Sequence, residues 1–224
     1  TIDDPTLFFR VKAYSGTGSA HAETFDITDT SMQPDMVWIK NRDTTGNHGI
    51  WDSTRGATKQ IYPNVNYGES TAAGSMTAFN SNGFSVGSDG DQNGSGNKLV
   101  AWCWKESATA GFDIVAHTGT SSSHTVAHSL ATVPEMMISK NLSTTSQWQI
   151  YTKAVGNTQA LQLGGTGGPD TSSTYYNDTS PTSSVFTVGT DTGTNGNGND
   201  MIVYLFRSVK GFSSVGNTYV GNGN

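Results

Sequence analysis

The segment SDGDQNGSGNK, residues 88–98, has the residue types of a calcium loop. Asp89, Asp91 and Asn93, followed by a glycine, match the first half of a pattern in which alternate side-chain oxygens converge on a hard cation. The pattern also requires a bidentate carboxylate at its twelfth position, and counting from Asp89 that position is Val100. The ligand set is incomplete, so we favour a structural hairpin loop, with weak calcium binding as the alternative.

The segment WDSTRGATK, residues 51–59, is a second candidate binding site. The indole of Trp51 could stack on a sugar ring while Asp52 accepts hydrogen bonds from the sugar hydroxyls and Arg55 donates to them. The other interpretation is structural. It makes Trp51 a core residue and pairs Asp52 with Arg55 inside a turn.

Catalytic chemistry has little support in the sequence. The segment HTVAH, residues 124–128, has the spacing of a helical metal pair, but it lies in a Ser/Thr-rich β context, where residues four apart are separated by about 13 Å. Carboxylates for glycoside hydrolysis could come from Asp35, Asp43, Asp52 or Glu135, but the sequence does not bring any two of them within the roughly 5 to 10 Å that such pairs need. We therefore predict no enzyme, no metal site and no cofactor.

The elements that carry these residues read as short β-strands. The runs VWIKN, GIWDS, GFSVGS and LVAWCWK are rich in β-branched and aromatic residues and are bounded by turn residues. In the last run, alternation places Trp102 and Trp104 on one face. No stretch shows sustained helical periodicity, so we expect helix to be a minor component.

An internal repeat organises the chain. PDMVWIKNRD from Pro34 recurs as PEMMISKNLS from Pro134, and IWDSTRG recurs as IYTKAVG at the same offset of 100 residues. At an offset of 102, FSVGSDG recurs as FTVGTDT and AWCWK as VYLFR. Ordered matches at nearly constant spacing indicate a tandem duplication. The second copy replaces the Asp-Ser-Thr-Arg run at residues 152–155, which favours the structural interpretation of Trp51, Asp52 and Arg55.

The repeat defines the predicted domains. Residues 1–107 form the first β-sandwich repeat and residues 108–210 the second, and GFSSVGNTYVGNGN, residues 211–224, is the start of a third repeat or a C-terminal extension. The fold class is all-β, with two tandem antiparallel β-sandwich or jelly-roll-like domains.

Composition excludes several classes of partner. The formal net charge is -6 and only 13% of residues are charged, so no basic surface is expected for nucleic acid. No apolar run is long enough to insert into a membrane. Cys103 is the only cysteine, so an intramolecular disulfide framework cannot form.

Five segments carry a resemblance to a known family: YSGTGS, PDMVWIKNR, WDSTRGATK, FNSNGFSVGS and VAWCWK. Their series resembles a domain that recurs, often in tandem, in structural proteins of tailed bacteriophages, especially marine ones. The resemblance covers nearly the whole chain and is closest in the first repeat. It implies a location on the virion surface, in a tail fibre, spike or other appendage, and it supplies no catalytic residues.

We therefore expect a structural component of a virion that takes part in host adhesion. Its partners would be further copies of itself, as a homotrimer or another homo-oligomer, other virion proteins and a glycan of the host surface. The alternative is a secreted or cell-surface carbohydrate-binding module. A depolymerase that cleaves host polysaccharide is a third class, and it would have to use the carboxylates named above.

Overall fold

The computed structural model describes residues 2–26 and 30–216. The strands up to residue 107 are β1 (Phe9–Ser15), β2 (His21–Thr24), β3 (Met36–Asn41), β4 (Gly49–Asp52), β5 (Lys59–Gln60), β6 (Ser70–Thr71), β7 (Met76–Asn80), β8 (Gly83–Val86) and β9 (Lys98–Trp104). The strands after residue 107 are β10 (Phe112–Thr118), β11 (His124–Ala127), β12 (Met136–Asn141), β13 (Trp148–Thr152), β14 (Gln159–Leu163), β15 (Asp170–Thr171), β16 (Val185–Val188) and β17 (Asp200–Phe206). The helical elements are a 3-10 turn (Pro5–Leu7) and the single turns α1 (Gly90–Asn93), α2 (Ser173–Tyr176) and α3 (Thr192–Asn195).

The described chain is therefore nearly all β, as the sequence predicts. Each of the four runs of β-branched and aromatic residues forms a strand: β3, β4, β8 and β9. Each α-helical element is one turn long, so the expectation that helix is a minor component is also confirmed.

The chain divides into two compact units, called here the first and the second unit. The first unit consists of Ile2–Ser107 with Leu142–Thr145, and the second consists of Ala108–Asn141 with the chain from Ser146 onward. Of the predicted third repeat, residues 217–224 lie outside the described residues, and before them a single bridge joins Val209 to Ser213.

The first unit is a sandwich of two antiparallel sheets, and β5 and β6 pair beside it as a separate two-stranded sheet. One sheet has the order β1-β9-β3-β4, and the other has the order β2-β8-β7. Side chains from both sheets meet in one core, among them Val37 and Leu99 from the four-stranded sheet and Phe84 from the three-stranded one. All three are fully buried, so the apolar faces of the two sheets hold the unit together.

The second unit has the same strand order in its large sheet. The sheet runs β10-β17-β12-β13 and continues through β14 and β15, and β11 pairs with β16 in a separate two-stranded sheet. Its core includes Val126 and Phe186 from the small sheet and Leu205 from the large one. The shared order is what a tandem duplication would produce, and the duplication itself stays an interpretation of the sequence.

The pairing register confirms the predicted face of β9. Trp102 lies opposite Val11 and Trp38, and Trp104 lies opposite Phe9 and Met36. Both indoles therefore project from one face of the sheet, and Cys103 projects into the core from the other.

The predicted hairpin at residues 88–98 is wrong. β8 pairs only within the three-stranded sheet and β9 only within the four-stranded sheet, so the connection crosses from one sheet to the other. One helical turn, α1, makes this crossing, and α3 makes the same crossing between β16 and β17. The residue types of a turn are right, but the two strands that it joins are not hydrogen-bonded neighbours.

Candidate functional site

A hydroxyl, an imidazole and a carboxylate lie in line where β1 leads into β2. Thr17 Oγ1 is 3.1 Å from His21 Nδ1, and His21 Nε2 is 2.8 Å from Glu23 Oε1. His21 and Glu23 are two residues apart on β2, so the pleat places both side chains on one face. The sequence interpretation did not identify this site, although a Thr–His–Glu arrangement is a form that a nucleophile and its base can take.

The hydrogen bonds assign the imidazole a different role. His21 Nδ1 lies 3.0 Å from the carbonyl oxygen of Ser19, which only accepts, so Nδ1 carries a proton. The Thr17 hydroxyl donates to the same carbonyl oxygen at 2.8 Å. The nitrogen that faces Thr17 is therefore a donor and cannot take a proton from the hydroxyl.

The pKa of His21 agrees with this assignment. The hydrogen bond to the Ser19 carbonyl raises it, Glu23 adds to the increase, and partial burial opposes both. Two further charges complete the surroundings: Lys12 Nζ lies 3.9 Å from Glu23 Oε2 and 3.9 Å from Asp26 Oδ1. His21 and Glu23 thus form an ion pair when the ring is protonated, within a small charged network on one side of the first unit.

The same loop recurs in the second unit without the carboxylate. Thr120 Oγ1 is 3.1 Å from His124 Nδ1 and donates to the Ser122 carbonyl oxygen at 2.9 Å. Val126 stands where Glu23 stands in the first unit. Because the hydroxyl and the imidazole are retained while the acid is not, the recurring feature is the fold of the loop.

One buried asparagine in each unit holds this loop to the crossover. Asn93 Nδ2 donates to the carbonyl oxygens of Ser19 at 2.8 Å and Gly87 at 2.5 Å, and its Oδ1 accepts the Thr17 amide at 2.8 Å. Asn195 makes the matching three bonds. Its Nδ2 donates to the carbonyl oxygens of Ser122 at 2.9 Å and Gly189 at 2.5 Å, and its Oδ1 accepts the Thr120 amide at 2.8 Å. Both asparagines are fully buried. These two sets of three bonds, each centred on one asparagine, are called here the asparagine brackets.

A signal for the brackets is present in the sequence. The pattern Thr-x-Ser-x-His occurs at residues 17–21 and again at residues 120–124, and each is matched by the Asn of an Asn-Gly pair, Asn93 or Asn195. Without a structure, nothing shows that the Asn lies against a loop more than seventy residues before it. The bonds satisfy buried backbone groups that no strand can reach.

The predicted sugar contact lies inside the first unit. Trp51 and Asp52 are fully buried, and the side chain of Arg55 is 5% exposed. Arg55 Nε donates to Asp52 Oδ2 at 2.6 Å, and Nη1 donates to Glu69 Oε2 at 3.1 Å and to the Lys59 carbonyl oxygen at 3.0 Å. The indole has no exposed face for a sugar, and the arginine holds three segments of the unit together. This geometry is that of the structural interpretation.

Two of the predicted calcium ligands, Asp89 and Asn93, are bonded to backbone groups. Asp89 is the N-cap of α1, and its Oδ1 accepts the amides of Asp91 and Gln92 at 2.9 and 3.2 Å. Asn93, another residue of the motif, belongs to an asparagine bracket. These bonds account for the acid and the amide in the motif without a cation.

The candidate acids for glycoside hydrolysis also bind backbone. Asp35 Oδ2 accepts the Glu106 amide at 2.8 Å, and Glu135 Oε2 accepts the Ser208 amide at 2.7 Å. Asp43 Oδ2 accepts the Lys98 amide at 2.8 Å. Each carboxylate fixes a chain segment that leaves or enters a strand, and within the described ranges no three His, Cys, Asp or Glu residues are placed to hold a metal ion.

A groove of about 280 Å³ runs beside β1 in the first unit. It is lined on the strand side by Phe9, Arg10, Val11 and Lys12, and on the other side by Thr6, Phe25 and Asp26. Arg10 is held in place because its guanidinium donates to the carbonyl oxygens of Thr6, Asp26 and Thr30. These bonds hold one wall of the groove in a fixed position beside the first strand of the large sheet.

The described part of the chain contains no helix that is long and apolar enough to cross a membrane.

Comparison with known proteins gives one match. A family model described as a domain of unknown function, DUF7483, matches residues 4–224 and so spans both units. No curated protein and no solved structure matches the chain.

Proposed function

We propose that the chain, which belongs to the DUF7483 family, is a structural component of a bacteriophage virion. It would form part of a tail fibre, spike or other appendage that takes part in host adhesion. It would lie on the outside of the particle, associated with further copies of itself and with other virion proteins. The proposal includes no catalytic step.

The asparagine brackets are the observation that carries this proposal. In both units a fully buried asparagine is bonded to backbone groups and fastens a loop to a crossover. Each unit is thus closed by its own side chains, as a building block of an exposed appendage has to be. The sequence resemblance to tailed-phage structural proteins supplies the particular setting.

Composition supports an exterior location for such a block. The chain has 27 glycines and few charged residues, so its surface is solvated largely by hydroxyl and amide groups. A surface of this kind is soluble at a net charge of only -6 and carries no basic patch that would hold it to nucleic acid.

Locating the chain in intact particles tests the proposal. Antibodies raised against the purified chain, with mass spectrometry of purified particles, should find it in the virion and place gold label on the tail. Detection only in a cell envelope or in secreted protein would contradict it.

Glycan binding is a second candidate function, and one exposed residue favours it. Tyr67 is 54% exposed and stands edge-on to Tyr62, with ring centroids 6.0 Å apart. An exposed aromatic ring can cover one face of a sugar, which the buried Trp51 cannot do. A glycan array should then show binding that is lost in Tyr67→Ala and kept in Val133→Ala, a control at another exposed apolar residue. An array on which the wild-type chain binds nothing would count against this function.

A further inference from the structure

Among the residues that the structure describes, no strand pairs with one edge of the large sheet in the first unit. β1 is the end strand of its sheet. Lys105 N donates to Phe8 O and Gly16 N donates to Asn97 O, both at 2.8 Å, so the even-numbered residues of β1 direct their backbone groups toward β9. The backbone groups of the odd-numbered residues, from Phe9 to Ser15, therefore point away from the sheet.

This edge is accessible where its backbone groups point outward. Val11 is 53% exposed, and Ala13 and Ser15 are exposed. The corresponding strand of the second unit differs, because Phe112 and Ile114 on β10 are only 3% and 6% exposed. The groove of about 280 Å³ beside Val11 leaves room along the edge of β1.

β1 lacks the features that usually protect an edge strand. It contains no proline, and its register against β9 is continuous from Phe9 to Ser15, without a bulge. Its two basic side chains are engaged within the unit, Arg10 with backbone carbonyl groups and Lys12 with Glu23 and Asp26. An open strand whose exposed residues, Val11, Ala13 and Ser15, are uncharged is a template for another strand.

We propose that β1 pairs with β1 of a second copy of this chain, antiparallel, around a two-fold axis at Ala13. The registers with the longest overlap of outward-pointing backbone groups are centred on Val11, Lys12 and Ala13. A pair centred on Val11 would set Lys12 opposite Arg10 of the second copy, and like charges in that position are destabilising. A pair centred on Lys12 would set Lys12 directly opposite Lys12 of the second copy, and like charges in that position are destabilising. A pair centred on Ala13 sets Lys12 opposite Tyr14 of the second copy instead.

The paired strands would join the two four-stranded sheets into one continuous sheet across the axis. The contact is confined to the edge of one strand, so it buries little surface, and we expect a reversible, concentration-dependent dimer. This assembly is independent of the virion location, and either proposal can fail without the other.

A matched pair of lysine substitutions tests the edge. Sedimentation of the wild-type chain over a wide range of concentrations should show a species of twice 23.7 kDa. Ala13→Lys sets two lysines opposite each other at the axis and should abolish this species. Ala116→Lys, at the corresponding exposed position on β10, should leave it unchanged. A wild-type chain that stays monomeric, or a dimer that survives Ala13→Lys or is lost in Ala116→Lys, would overturn the proposal.

Engineered cysteines test the register. Across the axis the two Cα atoms of residue 13 would be about 5.5 Å apart, within disulfide range. Ala13→Cys should therefore give a covalent dimer on mild oxidation, whereas Ser15→Cys should not, because its two copies would lie about 13 Å apart along the strands. The native Cys103 is fully buried and does not interfere. Efficient cross-linking through Ser15→Cys, or none through Ala13→Cys, would exclude this pairing.

Discussion

Asn93 and Asn195 show why a polar residue can be essential to an all-β core. Each is fully buried, and each satisfies two carbonyl groups and one amide that lie outside any strand. Removing the side chain would leave these backbone groups buried without partners, which costs more than the bonds themselves contribute.

We predict that Asn93→Ala and Asn195→Ala each lower the free energy of unfolding by roughly 2 to 4 kcal/mol. Chemical denaturation of the purified variants measures the loss. Ser95→Ala is the matched control, since Ser95 is an exposed residue of the same crossover. A cost below that of the control would show that water replaces the asparagine at no penalty.

The histidines of the two units respond to acid in opposite ways. The pKa of His21 is raised, so its contribution to stability is present below the ordinary value of 6.5 and is lost as the pH rises through the raised pKa. The pKa of His117 is lowered to about 4, chiefly by burial, with a smaller lowering from nearby His124 and an opposing contribution from the Thr118 backbone. The unfolded chain therefore binds a proton at this position first, and stability is lost as the pH falls from about 6.5 toward 4.

We predict that His117→Tyr reduces this acid loss. The corresponding residue of the first unit is Tyr14, whose hydroxyl donates to the Gln92 carbonyl oxygen at 2.7 Å. A tyrosine at position 117 is not protonated in this range, so up to roughly 3 kcal/mol of pH-dependent destabilisation should disappear. Melting temperatures of wild type and variant between pH 4 and 7 measure it, with His128→Gln as a control for a half-buried histidine outside this contact. If the melting temperatures of wild type and His117→Tyr fall equally between pH 7 and pH 4, the prediction is wrong.

At the scale of elements, the helical turns α1 and α3 each pack against a neighbouring loop, and the residues in contact differ between the two units. A side chain at Gly46 would overlap the carboxylate of Asp91 on α1. In the second unit the sizes are exchanged, because Ser146 lies against Gly193 on α3, where an added Cβ would come within 3.0 Å of the serine Oγ. One large and one small residue fill each contact, so the two positions depend on each other.

A double-mutant cycle should measure this dependence. We predict that Gly46→Ser destabilises the protein by about 1 kcal/mol alone and by less in the presence of Asp91→Gly, with a coupling energy of about 1 kcal/mol. Chemical denaturation of the four proteins gives the cycle. Additive effects would mean that the Asp91 side chain simply turns away.

The sequence predicts the strands better than the connections between them. Runs such as the one from Leu99 to Lys105 combine aromatic residues with alternation, and this local signal defines β9. α1 is four residues long, too short for helical periodicity, so the sequence of this segment favours a hairpin over a helical turn. Residue types alone could not separate a calcium loop, a hairpin and a crossover, because Asp and Asn cap helices, bind cations and form turns equally well.

The candidate site was harder to predict, because its bonds are not local. Thr17 and Asn93 meet only after the two sheets have packed together. The local pattern identifies Trp51, Asp52 and Arg55, and it favours a structural role because Thr152 and Val155 replace the ion pair of Asp52 and Arg55 in the second copy. A repeated sequence thus gives information on function that a single copy does not.

At the scale of the whole molecule, each unit is closed by its last strand. β9 lies between β1 and β3, and β17 lies between β10 and β12. Phe9 pairs with Trp104, and Phe112 pairs with Phe206, so the first and last strands of a unit are neighbours. Such non-local pairing favours slow folding, on the millisecond-to-second scale.

We predict that the amides of β9 and β17 exchange with deuterium more slowly than those of any other strand. Each of these strands is hydrogen-bonded on both sides, and most of their inward-facing residues, such as Leu99 and Leu205, are fully buried. Hydrogen exchange followed by mass spectrometry resolves the strands. If the amides of the end strands β1 and β10 exchange more slowly than those of β9 and β17, the prediction is wrong.

The pairing of first and last strands also affects how such a chain can change in length. The chain enters and leaves each unit at adjacent positions in the same sheet, beside Phe9 and Trp104 in one and beside Phe112 and Phe206 in the other. A segment bounded in this way can be inserted or deleted whole, because closing the gap joins two points that are already close together. Insertion or deletion of such a segment would thus change the chain by one whole unit while the remaining core keeps its own strands.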